Sequence, residues 1–142
     1  MVLPELGSES KDDAIREMCT FIAKQRGLKA DDIVKTLLER ERLGSTGIGE
    51  GVAIPHGKLA GLDKLVALFA KSGPGIDFTA IDNQPSHLFF VLLAPHNSAG
   101  LHLKALARIS RLLKSQDFRD RLLHAESSDS IYSIISDEDA RC

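Results

Sequence analysis

Tryptophan is absent from this sequence, tyrosine occurs once, and aromatic residues together make up 5% of it. So few flat π-surfaces leave little on which successive bases could stack. Positive charge is not in excess either: 18 Lys and Arg face 20 Asp and Glu, for a net charge of −2. Both features argue against a nucleic-acid binder. Cysteine is equally scarce: Cys19 falls inside a helical pattern and Cys142 is the last residue. That is neither a metal-binding spacing nor a secreted disulfide framework, and it favours a reducing cytoplasm. No run reaches the ~18 apolar residues that a membrane span needs, and no charged-then-apolar leader opens the chain. What remains is 142 residues, 43% hydrophobic and 27% charged. One soluble cytoplasmic domain over residues 1–142 is expected, able to bury a core without staples.

Glycine is the exception to this scarcity, and it is concentrated. Four of the eight residues from Gly44 to Gly51 are glycine, in the run Gly44-Ser45-Thr46-Gly47-Ile48-Gly49-Glu50-Gly51. Such density predicts a shaped loop rather than a helix or an ordinary strand. It feeds the short apolar run Val52-Ala53-Ile54, which Pro55 stops by fixing its own φ and holding Ile54 extended. His56 is then presented at a strand end, with Gly57 and Pro55 keeping bulk away and Lys58 adding positive potential. Two nucleotide signatures fail here. Gly51 is followed by five residues before Gly57-Lys58, and then by Leu59 rather than a hydroxyl residue, which is not a phosphate loop. Gly47, Gly49 and Gly51 are spaced by two and lead into a strand, which is not a dinucleotide fingerprint.

The rest of the chain alternates helical and strand patterns. Val2 to Leu6, interrupted by Pro4, can only be an edge strand or an extended lead-in. Ser10 and Asp13 form a possible capping pair for a helix whose stripe is Ile15, Met18, Cys19, Ile22 and Ala23 and whose stop is Gly27. Asp31 or Asp32 is the expected cap of a second helix carrying Ile33, Val34, Leu37 and Leu38 and ending at Gly44. Leu65–Ala70 reads as a buried strand, Gly73-Pro74-Gly75 as a turn, and Ile76 to Ala80 as an alternating half-exposed strand before an Asp82-Asn83 turn. His87 to Ala94 is the most apolar strand and belongs at the sheet centre, covered on both sides. Asn97 or Ser98 caps a long helix with His102, Leu106, Ile109 and Leu113 inward. Two shorter amphipathic helices follow, and the acidic tail Ser136 to Cys142 is expected to fray. The fold class is α/β, a mixed sheet flanked by helices on both faces.

The five histidines are not equivalent. His87 at a strand entrance and His124 near a helix end have structural explanations, and His96 sits in a loop after the central strand. His102 reads either as a satisfied core histidine or as a partner to His56. If the strand ending at His56 neighbours the strand ending at Pro95, the first turn of the next helix brings His102 and free N–H groups toward His56. Arg40, in the last turn of the second helix, is either a surface arginine or a further positive charge at that point. A neutral imidazole is a usable nucleophile toward phosphorus, which makes phosphohistidine the natural product.

The run Gly44 to Leu59, the preceding Arg40-Glu41, Ala80-Ile81-Asp82-Asn83-Gln84-Pro85, the strand into Ala94-Pro95 and the His102-Leu103 helix occur in one order. In that order they resemble the mannitol/fructose-type enzyme IIA domains of the bacterial phosphotransferase system, most closely the nitrogen-regulatory branch. The resemblance implies an α/β fold in which His56 accepts a phosphoryl group from a histidine phosphocarrier protein, with His102 and Arg40 beside it and no cofactor, metal or nucleotide. It implies a phosphotransferase whose phosphorylation state selects regulatory partner proteins, or alternatively a sugar-specific enzyme IIA that passes phosphate to a separate enzyme IIB. Leu43, Ile48 and Val52 are the expected apolar rim of an open docking surface. A zinc-binding module built on His56, His102 and His96 is the competing class, short of ligands.

Overall fold

The structure is a computed structural model that describes residues 1–141, apart from the side chains of Ala99 and Arg141. Helix α1 spans Lys11–Arg26; the Ser10 hydroxyl accepts the Asp13 N–H at 3.2 Å, and Ala14, Ile15, Met18, Cys19, Ile22 and Ala23 are buried. Helix α2 spans Ala30–Arg42 and buries Ile33, Val34 and Leu37. Its N-cap position is held by Lys29 with no side-chain hydrogen bond, so neither Asp31 nor Asp32 is a cap. Both lie inside the first turn, where a carboxylate favours the helix through the dipole instead.

The sheet has six strands, β1 Val2–Leu3, β2 Gly47–Gly49, β3 Val52–Ala53, β4 His56–Lys58, β5 Val66–Ile76 and β6 Ser86–Ala94. Their order is β1-β5-β6-β3-β2, with β4 also paired to β6. Strand β6 is central: β5 runs antiparallel along one side, while β3 and then β4 lie parallel along the other. Its alternate side chains serve two cores, which explains the unbroken apolar run. Phe89, Val91 and Leu93 pack with α1 and α2. Leu88 and Phe90 pack with Val52, Ile54, Phe69 and the second helical layer. That layer is α3 Ala99–Leu112, α4 Gln116–His124 and α5 Ser128–Arg141, contributing Leu112, Phe118, Leu122 and Ile131. Helices therefore cover both faces, as expected.

Several local expectations are corrected. The glycine-rich run is a β-hairpin rather than a loop: β2 and β3 pair antiparallel, and Glu50 (φ 57°) and Gly51 (φ 74°) supply the two positive φ angles of the tight turn. Gly73-Pro74-Gly75 is not a turn between strands but a bulged continuation of β5, where the register with β6 shifts between Lys71 and Ile76. The His87 imidazole meets the carbonyls of Ser72 and Gly73 there, at 3.0 and 3.2 Å. Only Ile76 of the Ile76–Ala80 segment is in a strand. From Asp77 the chain bends, with the Asp77 carboxylate accepting the Thr79 N–H at 3.0 Å and Thr79 at φ 53°. Phe78 and Ala80 are buried all the same, so the alternation recorded burial without a ladder. Asn83 N–H donates to the Ala80 carbonyl at 3.0 Å, which closes the expected Asp82-Asn83 turn.

The tail is helical rather than frayed: α5 continues through Arg141, with Asp139 paired to Arg108 of α3, and Cys142 lies outside the described residues. Lys71, which bounds an apolar run in the sequence, is itself buried. Its ammonium donates to the carbonyls of Leu122, Leu123 and Ala125 and so caps the end of α4. Burial pushes the Cys19 thiol up to about 12, which leaves it protonated and unreactive.

Candidate functional site

Three elements converge on one point: the last turn of α2, the first residue of β4 and the first turn of α3. Pro55 interrupts the strand after Ile54, and the chain resumes as β4, with His56 opposite Leu92 and Lys58 opposite Ala94 of β6. Strand β4 also lies against α2. A Cβ on Gly57 would sit 2.6 Å from the Thr36 methyl, so the absence of a side chain there lets His56 reach Arg40. His102 enters from α3, which follows β6 through Pro95 and the turn at His96.

The hydrogen bonds of His56 define its state. Nδ1 lies 2.7 Å from the Ile54 carbonyl, which can only accept, so Nδ1 carries the proton. Arg40 Nε, which can only donate, lies 3.3 Å from Nε2, so Nε2 presents a lone pair. Both contacts fit the same neutral tautomer. A second nitrogen of the guanidinium, Nη1, donates to the Gly44 carbonyl at 2.9 Å and fixes its orientation.

The His102 ring lies 5.4 Å from that of His56, tilted by 51°. It is 8% exposed, and its Nδ1 is buried without a hydrogen-bond partner. Burial chiefly, then the adjacent His56 ring, which disfavours a second proton in the site, and the Lys58 ammonium hold its pKa below the ordinary 6.5. Ser98 occupies the N-cap of α3, but its hydroxyl donates to the Pro95 carbonyl at 2.7 Å and does not cap the helix. The site thus pairs an imidazole nitrogen bearing a lone pair with a fixed cation and a second imidazole.

His56, Arg40 and His102 are brought together as the sequence suggested. His87 serves the β5 bulge, and His124 Nδ1 bonds the Asp120 carbonyl at 2.7 Å, so both are structural; His96 is exposed. Leu43 and Ile48 are exposed rim residues, at 84% and 44%, but Val52 is buried in the core and is not one. Leu101 and Leu103, on either side of His102 in the chain, are also exposed. Glu41 was missed. It extends the Leu37 side of α2 by four residues, a spacing that signals an inward carboxylate. Among the described residues, no three His, Cys, Asp or Glu converge as a metal site, and no helix is long and apolar enough to cross a membrane.

A half-exposed imidazole held by an arginine thus lies where strand β4, α2 and α3 of this mixed sheet meet. Residues 1–138 match the family model described as phosphoenolpyruvate-dependent sugar phosphotransferase system, EIIA 2, and the chain belongs to that family, which carries a phosphotransfer role. It is 44% identical over 135 residues to the nitrogen regulatory protein of Bradyrhizobium diazoefficiens, covering 95% of this chain and 88% of that one. The crystal structure of the nitrogen regulatory protein IIA-Ntr from Neisseria meningitidis superposes with a TM-score of 0.87 at 33% identity, over 94% of this chain and 91% of that one. The fructose-specific EIIABC component of Bacillus subtilis is 41% identical over 133 residues, 93% of this chain but 21% of that protein. Likeness along nearly the full length of the nitrogen regulatory relatives favours a regulatory carrier over a sugar-uptake component.

Proposed function

We propose that His56 Nε2 is the phosphoryl acceptor, loaded from the phosphohistidine of a histidine phosphocarrier protein. The tautomer of His56 carries this reading: the Ile54 carbonyl holds the proton on Nδ1 and leaves Nε2 as the nucleophile. In the transfer the donor's N–P bond breaks as the Nε2–P bond forms, and each ring keeps its own N–H. Arg40 Nε shares the Nε2 lone pair at rest, so the guanidinium must move from that lone pair to the incoming phosphoryl oxygens. His102 stabilises the same oxygens from the α3 side as a neutral donor. The contribution is positioning and electrostatics, which is what phosphoryl transfer asks of a protein.

The cascade is assigned to the cytoplasm, with residues 1–142 as one acceptor domain. The loaded and unloaded forms would select different regulatory proteins, in keeping with the nitrogen regulatory relatives. The second reading is delivery to a separate enzyme IIB for sugar uptake, favoured by the 41% identity to the fructose-specific component. The test is incubation with phosphoenolpyruvate, enzyme I and the phosphocarrier, followed by mapping of acid-labile phosphate by mass spectrometry. Phosphate on His56, lost in His56→Ala and acquired more slowly in Arg40→Ala and His102→Ala, is the expected result. Uptake by folded His56→Ala would move the acceptor elsewhere. Onward transfer to a purified enzyme IIB, set against phosphorylation-dependent capture of a regulatory protein, separates the two readings.

A further inference from the structure

Arg40 and Glu41 are consecutive but point apart. While Arg40 reaches His56, the Glu41 side chain is only 5% exposed and turns beneath the hairpin. Its carboxylate accepts the Thr46 N–H at 3.0 Å, the Thr46 hydroxyl, and the Lys11 ammonium at 2.9 Å. Lys11 is itself held by the Phe78 carbonyl at 3.4 Å and the Thr79 hydroxyl at 3.3 Å, and it lies 4.8 Å from the Phe78 ring centre. The chain that leaves α2 is therefore drawn back onto Glu41 within five residues. Gly44 lies inside this closed segment, and its carbonyl is the one that holds Arg40 Nη1. The direction of that carbonyl sets where the Arg40 Nε–H points.

We infer that Glu41 is a positioning residue for the phosphoryl site: through Thr46 it fixes the Gly44 carbonyl, which aims Arg40 at His56 Nε2. A buried carboxylate with a matching cation is costly to assemble, and its stabilising value alone is a weak reason for it. Fixed geometry for the neighbouring guanidinium is the gain that this arrangement supplies. The inference rests on the acceptor reading of His56, so its test has two independent arms.

In the first arm, transfer to the protein is timed for Glu41→Gln and Thr46→Val, each in wild-type and Arg40→Ala backgrounds. A misplacement approaching 1 Å predicts a fall of roughly tenfold or more with Arg40 present and almost none without it. Equal slowing in both backgrounds would assign the effect to general destabilisation and overturn the inference. Thr46→Ser, which keeps the hydroxyl, should retain the wild-type rate. In the second arm, NMR follows solvent exchange of the Arg40 Nε–H in the unphosphorylated protein. Protection that is lost in Glu41→Gln and Thr46→Val but kept in Thr46→Ser supports the inference; protection unchanged in all three overturns it. If Glu41→Gln fails to fold, Thr46→Val carries both arms. Absence of phosphate on wild-type His56 would sink the acceptor reading, while the exchange arm still decides the role of Glu41.

Discussion

Replacing Gly57 with alanine tests whether the contact between β4 and α2 positions His56, the proposed acceptor. The new Cβ would lie 2.6 Å from Thr36 Cγ2, about 1 Å inside the ~3.5 Å at which carbon atoms normally meet. Thr36 cannot readily turn away, because a β-branched side chain in a helix has few χ1 options. Strand β4 cannot simply retreat either, since Gly57 is paired with Leu93 of β6. The strain falls one residue from His56 and one helical turn from Arg40, so the distance between those two side chains should change most. Overpacking of this size costs about 1–3 kcal/mol, a Tm decrease of roughly 4 °C per kcal/mol for a domain of this length. The rate of phosphoryl uptake, measured by rapid quench, should fall by about 10- to 100-fold. Thr36→Ala removes the opposing methyl and should restore both quantities in the double variant. A Gly57→Ala protein with wild-type Tm and rate, or a loss that Thr36→Ala leaves untouched, would refute the reasoning.

His102 should titrate below 6.5 when followed by NMR. Removing His56 as His56→Ala should raise its pKa part of the way, because burial is the larger cause and persists. Between the folded pKa and 6.5 the unfolded chain binds a proton that the folded ring does not, so stability rises with pH across that window. The contribution of His102 is complete above 6.5 and is lost as pH falls through the folded value; the Tm difference from His102→Gln should follow that course. Titration at or above 6.5 would contradict this. Lys71→Met should lower stability by about 1–3 kcal/mol, because it strands the carbonyls that end α4, and chemical denaturation measures the change. Lys71 pairs with Leu88, four residues along β6 from the partner of His56, so the transfer rate should stay at the wild-type level.

The parts of the fold that could be read in advance are those specified by local periodicity. Ile15, Met18 and Ile22 mark α1, and the apolar run to Ala94 marks a strand that must be covered twice, because these patterns depend only on which face is buried. Residues 44–58 were harder. Gly47 and Gly49 have poor strand propensity and pair only because Val52 and Ala53 are anchored on β6, an interaction between distant segments. Likewise Gly73-Pro74-Gly75 has the composition of a turn, yet β5 carries it as a bulge held in place by the His87 ring. His56 could be singled out because glycine and proline surround it, whereas Arg40 and His102 each kept a structural alternative in the sequence, and only the meeting of α2, β4 and α3 brings the three together. Glu41 and Lys71 were not legible, because each is a charged residue whose burial depends on a partner 30 or more residues away.

The two cores on opposite faces of the sheet have a consequence for how the molecule can fail. Arg40 comes from the α1–α2 side, His102 from the side of α3 to α5, and His56 from the sheet between them. Neither helical layer can peel away without separating Arg40, His56 and His102, even while the sheet and the other layer hold. With His56 as the proposed acceptor, phosphoryl transfer therefore depends on both layers at once. Under rising denaturant, catalytic competence should vanish at the first sub-global opening of either layer, before the backbone signal reports unfolding, so partly opened molecules in a population would be silent rather than wrongly loaded.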